Sequence, residues 1–471
     1  MNFHVLTLFP DMVKDGLYTS ILKRASDNGL INIHAVNIRD YTTDKHKKTD
    51  DYPFGGGAGL LMQAEPVFRA HEAVLSEIQN GGQKKVRTIY LSPQGQTFNQ
   101  RMAEELAREE DLVFLCGHYE GIDERVLTEV VTDTVSIGDF VLTGGELAAM
   151  MMIDAIARLV PGVLHNSLSA GEESFSGYLL EYPQYTRPEI WRGKKVPEAL
   201  LTGDHKKIRQ WRMKEAEERT RTRRPDLYEQ YLALMDCKTV LLLNKLLHRD
   251  MIECIDRGFA TLVYREGETV LLYNRAGNVY LLTAKDEASG KKALSAIKEE
   301  PEAIVTRQEF MNSIVQDFQF VPGQTNRLSM CGPCVQMVYT RKEPLPAPKA
   351  RIEILTEEYT ELIAANYELL SKEEIRRHLK DGSLYGIFSE QELAGFCGEH
   401  AEGSMGMLFI FPQYRKMGYA SQIESFLINA TIQKGYTPYC QIFSDNEASI
   451  MLQKKLCLYP AKGNIRWFVR K

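Results

Sequence analysis

The sequence has no run of about 18 uncharged apolar residues, which is the length that a membrane-spanning helix needs. We therefore expect no membrane span. No basic segment precedes the apolar N-terminus, Met1 to Phe9, so we expect no signal peptide either. The eight cysteines are scattered along the chain, which favours a reducing compartment over a disulfide-stabilised secreted fold. These features together predict a cytoplasmic protein.

The length of 471 residues is too great for a single hydrophobic core and predicts two or three domains. The net charge of −6 hides a basic segment between Arg187 and Arg224, which holds thirteen Lys and Arg residues against six Asp and Glu residues. Such a segment attracts phosphate backbones without reading sequence. The alternative is a solvated helix face on which Glu215, Glu217 and Glu218 pair with neighbouring arginines.

Three glycine-containing segments lie within about sixty residues of one another. Each follows a short β-type apolar run, and glycine lets backbone N–H groups approach a ligand closely. If the runs are neighbouring strands, the segments meet at the carboxyl edge of one sheet and form a cofactor pocket; the alternative is three ordinary turns. The segments are Tyr90 to Gly95, Leu115 to Arg125 and Ser136 to Glu146.

These segments and several others resemble the bacterial tRNA (guanine-37-N1)-methyltransferases, a family of trefoil-knotted methyltransferases. The resemblance covers residues 1 to about 235. It implies an α/β fold with a knotted parallel sheet, an obligate homodimer with tRNA as substrate, and S-adenosylmethionine bound by the knot loops. The further matching segments are Leu8 to Pro10, Asp50 to Gly59, Tyr185 to Pro188 and Ile208 to Arg212.

The resemblance also assigns roles to residues at the reaction centre. Glu173 matches the acid that removes the N1 proton of guanine, although the family usually has aspartate there; Glu172 is the competing candidate. Arg158 matches the residue that holds O6 of the guanine, with a helix-surface pair to Asp154 as the alternative. The implied cofactor-binding residues are Leu91, Gly117, Tyr119, Ile137, Gly138, Asp139, Phe140, Val141, Leu142, Gly144 and Gly145.

The tRNA side of the site is implied in the same way. The glycine run from Gly55 to Gly59 is not a P-loop, because no Lys-Ser/Thr pair follows it. The resemblance raises a role for Mg²⁺, but no ligand set is readable, and the histidines lack metal-ligand spacing. The implied tRNA-binding residues are Gly55, Gly56, Gly57, Glu181, Arg187, Arg209 and Arg212.

The C-terminal part, from Arg351 onward, resembles a GNAT-type N-acyltransferase of α+β fold. The segment from Met407 to Gln422 predicts a strand, a glycine turn and a helix whose N-terminus faces the pyrophosphate of acetyl-CoA or another acyl-CoA. Gln453 replaces the tyrosine that often serves as the general acid, so acyl-CoA binding is favoured over transfer. The alternative function is a silent acyl-CoA sensor. The implied acyl-CoA-binding residues are Arg415, Gly418, Ala420 and Asn446.

Composition and pattern divide the chain into a series of segments. An apolar helix is expected from Thr239 to Cys254, and β-hairpins follow it. A second rival hypothesis treats the N-terminal half as an RNA-binding protein whose methyl-transfer site has decayed. The expected segments are a methyltransferase domain (1–162), a connector (163–186), a basic helical tRNA-binding domain (187–235), an α+β domain that is a candidate degenerate GNAT copy (236–341), a proline-rich linker (342–350) and the GNAT-like domain (351–471).

Overall fold

The structure is a computed structural model and describes residues 1–56, 59–79, 86–164, 175–298, 300–321, 323, 326–367 and 369–470. The chain forms two compact units, Met1–Ala170 and Gly171–Lys471. The mixed α/β architecture agrees with the sequence-based expectation. No helix in the described part is both long and apolar enough to cross a bilayer.

The first unit is built on a five-stranded sheet in which every neighbouring pair is parallel, in the order β2-β1-β6-β5-β7. A short antiparallel pair, β3 and β4, lies outside this sheet. The strands are β1 (Asn2–Thr7), β2 (Asn32–Asn37), β3 (Asp50–Asp51), β4 (Leu61–Met62), β5 (Arg87–Thr97), β6 (Asp111–Leu115) and β7 (Asp133–Ser136). The helices are α1 (Pro10–Leu17), α2 (Ser20–Asp27), α3 (Ala64–Gln79), α4 (Gln100–Leu106), α5 (Glu124–Val130) and α6 (Glu146–Ala157).

The central strands of this sheet bury apolar side chains on both faces because helices cover both faces. Phe3 and Val5 of β1 pack into a core with α1 and α6, whereas Leu6 of the same strand packs with α3 and α5 on the other face. The alternation of β1 side chains therefore supplies two separate cores. This burial fixes the register of the sheet and so the positions of the loops at its carboxyl edge.

The first strands of the second unit form a hairpin, β8 (Ile190–Trp191) and β9 (Lys194–Lys195). Two long helices follow, α7 (His205–Arg223) and α8 (Pro225–Leu241). The remaining elements form one twelve-stranded sheet with covering helices. Its strands are β10 (Ala260–Glu266), β11 (Thr269–Asn274), β12 (Val279–Thr283), β13 (Ala303–Thr306), β14 (Leu328–Tyr339), β15 (Arg351–Ile354), β16 (Leu384–Ser389), β17 (Glu392–Glu399), β18 (Met405–Ile410), β19 (Tyr439–Phe443), β20 (Leu458–Pro460) and β21 (Ile465–Arg470). Its helices are α9 (Arg249–Asp256), α10 (Glu287–Ser295), α11 (Met311–Asp317), α12 (Thr360–Ala364), α13 (Lys372–Lys380), α14 (Tyr419–Gln433) and α15 (Glu447–Lys455).

The same succession of elements occurs twice in this sheet. Strands β10 to β13 are joined by two antiparallel pairings and then a parallel one, with α10 between the parallel strands. Strands β16 to β19 repeat that order, with α14 in the equivalent place. We call β10 to β13 the first copy and β16 to β19 the second copy of this arrangement; the assignment of residues 236–341 to a degenerate GNAT-like fold stays a prediction.

The predicted helix from Thr239 to Cys254 is wrong as a single element. Helix α8 ends at Leu241, a short 3-10 turn follows, and α9 starts at Arg249. The chain turns because the side-chain amide of Gln336, on β14, donates hydrogen bonds to the carbonyls of Leu246 (2.6 Å) and Leu247 (3.0 Å). Contacts with a distant strand thus override a locally helical sequence.

Candidate functional site

The three glycine segments meet at one edge of the first sheet, as predicted. Strands β6, β5 and β7 are adjacent and parallel, so the loops that follow them leave the same edge. The first loop is a bulge inside β5, where the register shifts between Leu91 and Gln96. A Cβ atom on Gly95 would lie 2.4 Å from the backbone of Thr134, so only glycine permits this approach of β5 to β7.

The second and third loops are bound to each other through their backbones. The N–H of Gly145 donates to the carbonyl of Gly117 at 3.0 Å, and His118 pairs with Gly144 as an isolated antiparallel bridge. A Cβ atom on Gly145 would lie 2.8 Å from the Cα of Cys116. The two glycines therefore allow a main-chain wall at the sheet edge, which is the type of surface that a nucleoside cofactor needs.

The segment from Ile137 to Leu142 forms the outer part of this wall. Gly138 has φ of +140°, and the N–H of Phe140 donates to the Gly138 carbonyl at 3.0 Å. The side chains of Phe140, Val141 and Leu142 are exposed, Val141 to 85%. Adjacent exposed apolar side chains are typical of a surface that a ligand covers.

Tyr119 stands beside this wall in a left-handed conformation, with φ of +59°. Its ring packs edge-on to His118 with centroids 5.2 Å apart, and Arg39 approaches its hydroxyl at 3.5 Å. The glycine segment that is predicted to lie on the tRNA side is also close, because the N–H of Glu120 donates to the carbonyl of Leu60 at 3.0 Å. A Cβ atom on Gly59 would lie 2.4 Å from Glu120.

A cavity of about 160 Å³ opens next to these loops, and the sequence analysis did not name the Glu146 side chain that lines it. Glu146, the first residue of α6, contributes a carboxylate that is only 3% exposed and accepts a hydrogen bond from the Thr7 hydroxyl at 2.7 Å. The only sequence signal for it is its place after two glycines. The residues lining the cavity are Phe9, Met12, His118, Thr143, Gly144, Glu146 and Leu147.

The predicted catalytic residues are only partly described. Arg158 lies at the C-terminal end of α6, where its backbone N–H donates to the Asp154 carbonyl at 3.3 Å. Glu173 and its competitor Glu172 lie outside the described residues, as does Gly57. Gly55 and Gly56 both have positive φ and open space around them. The described part of the chain contains no group of three or more His, Cys, Asp or Glu side chains that could hold a metal ion.

The predicted tRNA-binding residues of the second unit make contacts within the protein. Arg209 donates to the carbonyls of Lys434 (3.3 Å) and Gly435 (3.1 Å) after α14, and Arg212 lies 4.6 Å from the centroid of the Tyr182 ring. Glu181 accepts a hydrogen bond from the Gln184 amide through its carboxylate. Arg187 is exposed.

The predicted acyl-CoA residues lie around the start of α14. Gly418 takes the left-handed conformation (φ +87°) as the N-cap, and Ala420 falls in the first turn. Nε of Arg415 donates to the carbonyl of Ile410 at 3.1 Å and so holds the loop against the end of β18. Asn446 instead caps α15, accepting a hydrogen bond from the N–H of Ser449 at 3.1 Å. Strand β18 pairs with β19 only at Met405 and Cys440, so the two strands separate towards α14.

Comparison with known proteins identifies two matching families. Residues 1–230 match the family model described as tRNA (Guanine-1)-methyltransferase TrmD, and residues 384–466 match the model described as FR47-like protein. A tRNA (guanine-N(1)-)-methyltransferase of Lachnospira eligens is 59% identical over 232 residues, which is 49% of this chain and 97% of that protein. The proteins of the same name from Clostridioides difficile and Levilactobacillus brevis are 52% and 56% identical, over 98% and 90% of their lengths and 49% of this chain.

Proposed function

Because the chain belongs to the tRNA (guanine-N1)-methyltransferase family, we propose that residues 1 to about 235 transfer a methyl group from S-adenosylmethionine to N1 of guanosine 37 in tRNA. The observation that carries this proposal is the meeting of three loops at the carboxyl edge of β5, β6 and β7. Their backbone amides and exposed apolar side chains suit a nucleoside and its sulfonium side chain. The proposal includes the knotted threading, the homodimer and the cytoplasmic location that the resemblance implies.

The reaction needs little covalent help from the protein. S-adenosylmethionine supplies an already activated methyl group, so the loops contribute by holding it in line with N1 and excluding water. N1 of guanine carries a proton, which Glu173 accepts in this proposal as the new bond forms. Arg158 donates a hydrogen bond to O6, where negative charge accumulates. Glu181, Arg187, Arg209 and Arg212 are proposed to lie on the tRNA side, together with Gly55 to Gly57.

Methyl transfer to unmodified tRNA transcripts tests this proposal. Transcripts with G at position 37 should be methylated and those with A should not, and Glu173→Ala should lower kcat at least a hundredfold. Glu172→Ala is the matched control and should retain activity. Equal rates for wild type and Glu173→Ala would remove Glu173 from the mechanism. Absence of transfer by wild type would remove the function and favour the alternative of a decayed RNA-binding protein.

The C-terminal module is proposed to bind acyl-CoA at the N-terminus of α14. No side chain caps this helix, so its first amides are available to a pyrophosphate, next to the gap between β18 and β19. The equivalent helix of the first copy, α10, is capped by Asp286, whose carboxylate accepts a hydrogen bond from the N–H of Ser289 at 2.8 Å. Strands β12 and β13 also stay paired at two positions. The proposal therefore places a single site of this kind among the described residues, in the second copy.

Titration calorimetry of the full-length protein with acetyl-CoA tests binding, and incubation with radiolabelled acetyl-CoA and a panel of amines tests transfer. Because Gln453 cannot protonate a departing thiolate, we expect binding without turnover. Acylation of any amine would instead show that the module is an N-acyltransferase. Absence of binding heat would reject both alternatives for this module.

A further inference from the structure

The hairpin of β8 and β9 projects two apolar side chains into solvent. Its turn consists of Arg192 and Gly193, both with positive φ (+50° and +75°), as a type I′ hairpin turn requires. Trp191 is 57% exposed and Ile190 is 50% exposed, and every residue from 184 to 195 is exposed. Trp191 is one of only three tryptophans in the chain.

This exposure does not follow from the needs of the fold. An isolated two-stranded hairpin is marginally stable in water, and in the described part of the chain no third strand pairs with this one. Tryptophan is highly buried on average in folded proteins, whereas Trp191 is 57% exposed. Exposed apolar side chains bordered by charges are typical of an interaction surface.

The charges around the hairpin indicate the class of partner. Arg187, Arg192, Lys194 and Lys195 are opposed by a single nearby carboxylate, Glu189. Within the described residues none of these four cations forms a salt bridge, and the Arg192 guanidinium lies 5.1 Å from the centroid of the Trp191 ring. An aromatic ring beside unpaired cations matches single-stranded nucleic acid, whose bases stack and whose phosphates are anionic.

The long basic helix α7 is a weaker candidate for the same contact. Arg209 is hydrogen-bonded to backbone carbonyls near α14, and Arg212 is stacked on Tyr182. Arg221 forms an ion pair with Glu218. Several of the charges that the sequence assigns to tRNA are thus already engaged, whereas those of the hairpin are available.

We propose that the hairpin Ile190–Lys195 is a tRNA contact in which Trp191 stacks on an unpaired base and Arg192, Lys194 and Lys195 bind the adjacent phosphates. This inference rests on the proposed tRNA substrate. It specifies an RNA-binding element that the basic composition of residues 187–235 did not distinguish. A second copy of the chain is the competing occupant of this surface.

The test compares Trp191→Ala with wild type, both full length, using unmodified tRNA transcripts in filter binding and steady-state methyl transfer. Loss of one stacking contact should raise the dissociation constant and KM for tRNA by between about 5-fold and 150-fold. The value of kcat and the affinity for S-adenosylmethionine should stay within about twofold. Trp191→Phe, which keeps a stacking ring, should restore most of the affinity.

The charges of the hairpin are tested with a double alanine variant, and Leu243→Ala serves as the control. Replacing Lys194 and Lys195 with alanine should reduce the slope of log affinity against log salt by about 1.4, the value for two phosphate contacts with a single strand. Leu243→Ala removes another exposed apolar side chain of the same unit and should change nothing.

Two results would overturn the inference while leaving the methyltransferase proposal intact. One is wild-type tRNA affinity and KM in Trp191→Ala. The other is conversion of a dimer to a monomer by Trp191→Ala in light scattering, which would make the hairpin a protein interface. If wild type neither binds nor methylates tRNA, both proposals fail together; if it binds tRNA without methylating it, filter binding still decides the role of the hairpin.

Discussion

Glu424, on the buried face of α14, is a carboxyl group without a cation beside it among the described residues. It is 2% exposed, hydrogen-bonds with Gln453, and leaves Oε2 without a partner in the described structure. Burial raises the pKa of Glu424 to about 7. The folded protein therefore holds a proton here that the unfolded chain releases at lower pH.

This pKa shift predicts a pH-dependent cost to stability. Between the unfolded pKa near 4.5 and the folded pKa near 7, the folded state binds more protons, so the free energy of unfolding falls as pH rises. Glu424→Gln removes the ionisation and keeps the shape. We expect it to stabilise the protein by about 3 kcal/mol at pH 8 and hardly at all at pH 4.5. Urea unfolding at the two pH values measures this, and an equal difference at both would contradict the assignment.

Gly145 is packed closely against the backbone of Cys116. Its α-carbon has no room for a side chain, because a Cβ would lie 2.8 Å from the Cα of Cys116, which cannot move without distorting β6. Gly145→Ala should therefore displace the loop wall and lower the affinity for S-adenosylmethionine at least tenfold, measured by calorimetry. Gly332→Ala is the control, because its Cβ would meet only Phe443 at 3.6 Å. Unchanged affinity in Gly145→Ala would show that the wall is not part of the cofactor site.

Helix α14 connects the candidate pyrophosphate site with the basic helix α7 in the second unit. Its N-terminus is the candidate pyrophosphate site, and the chain just after its C-terminus receives two hydrogen bonds from Arg209 of α7. Tyr436, next along the chain, lies between Arg209 and Arg257, at 5.1 Å and 4.6 Å from their guanidinium carbons. These contacts attach the basic helical segment to the GNAT-like module.

Arg209→Ala should therefore affect stability as well as any tRNA affinity. Loss of two hydrogen bonds from a charged donor should lower the free energy of unfolding of the second unit by about 2 kcal/mol. Urea unfolding of residues 171–471, a compact unit, measures this without tRNA. Lys207→Ala, in an exposed i,i+3 pair with Asp204, is the matched control and should cost well under 1 kcal/mol. If both variants unfold alike, the contact to the Gly435 loop contributes nothing to stability.

The sequence predicts a helix or strand well where local residues determine it, and poorly where contacts with distant residues determine it. The β5, β6 and β7 strands and the left-handed Gly418 were predictable because glycine and apolar runs act locally. The break in the helix after Leu241 was not predictable, because it depends on Gln336, about ninety residues away, which donates hydrogen bonds to the carbonyls of Leu246 and Leu247. The buried Glu146 was also missed, since its partner Thr7 lies 139 residues away. The role of Glu173 stays a prediction.

The final strand of the chain joins the two copies of the repeated arrangement. Strand β21 lies between β13 of the first copy and β14, and pairs antiparallel with both. Strand β14, which belongs to the earlier part of the chain, in turn pairs with β19 and β20 of the second copy. Each copy is thus completed by a strand from the other. The segments 236–341 and 351–471 share one sheet, although composition suggests two domains joined by a linker.

The proline-rich segment between the two copies is also held in place by hydrogen bonds to its neighbours. It is not helical, as expected, but the amide side chain of Asn429, on α14, bonds both the N–H (2.7 Å) and the carbonyl (2.9 Å) of Leu345. The side chain of Gln422 accepts hydrogen bonds from the N–H groups of Lys349 and Ala350. The segment is therefore packed against the module that it precedes.

This exchange of strands predicts that a fragment comprising residues 351–471 will not fold on its own. It would leave β19 and β21 without β14 and would expose Phe468 and Ile465, which are fully buried in the intact sheet. Each of these two side chains contributes about 2 to 5 kcal/mol when buried, against a total domain stability of about 5 to 15 kcal/mol. We expect the fragment to lack a cooperative urea transition, and we expect residues 171–471 to show one.

Deletion of residues 464–471 from that longer chain should also abolish hydrogen-exchange protection of Val305 on β13, because β21 is the antiparallel partner of that strand. Cooperative unfolding of the 351–471 fragment, with Trp467 in a native-like fluorescence environment, would show that the second copy is an independent domain and that the shared sheet is dispensable.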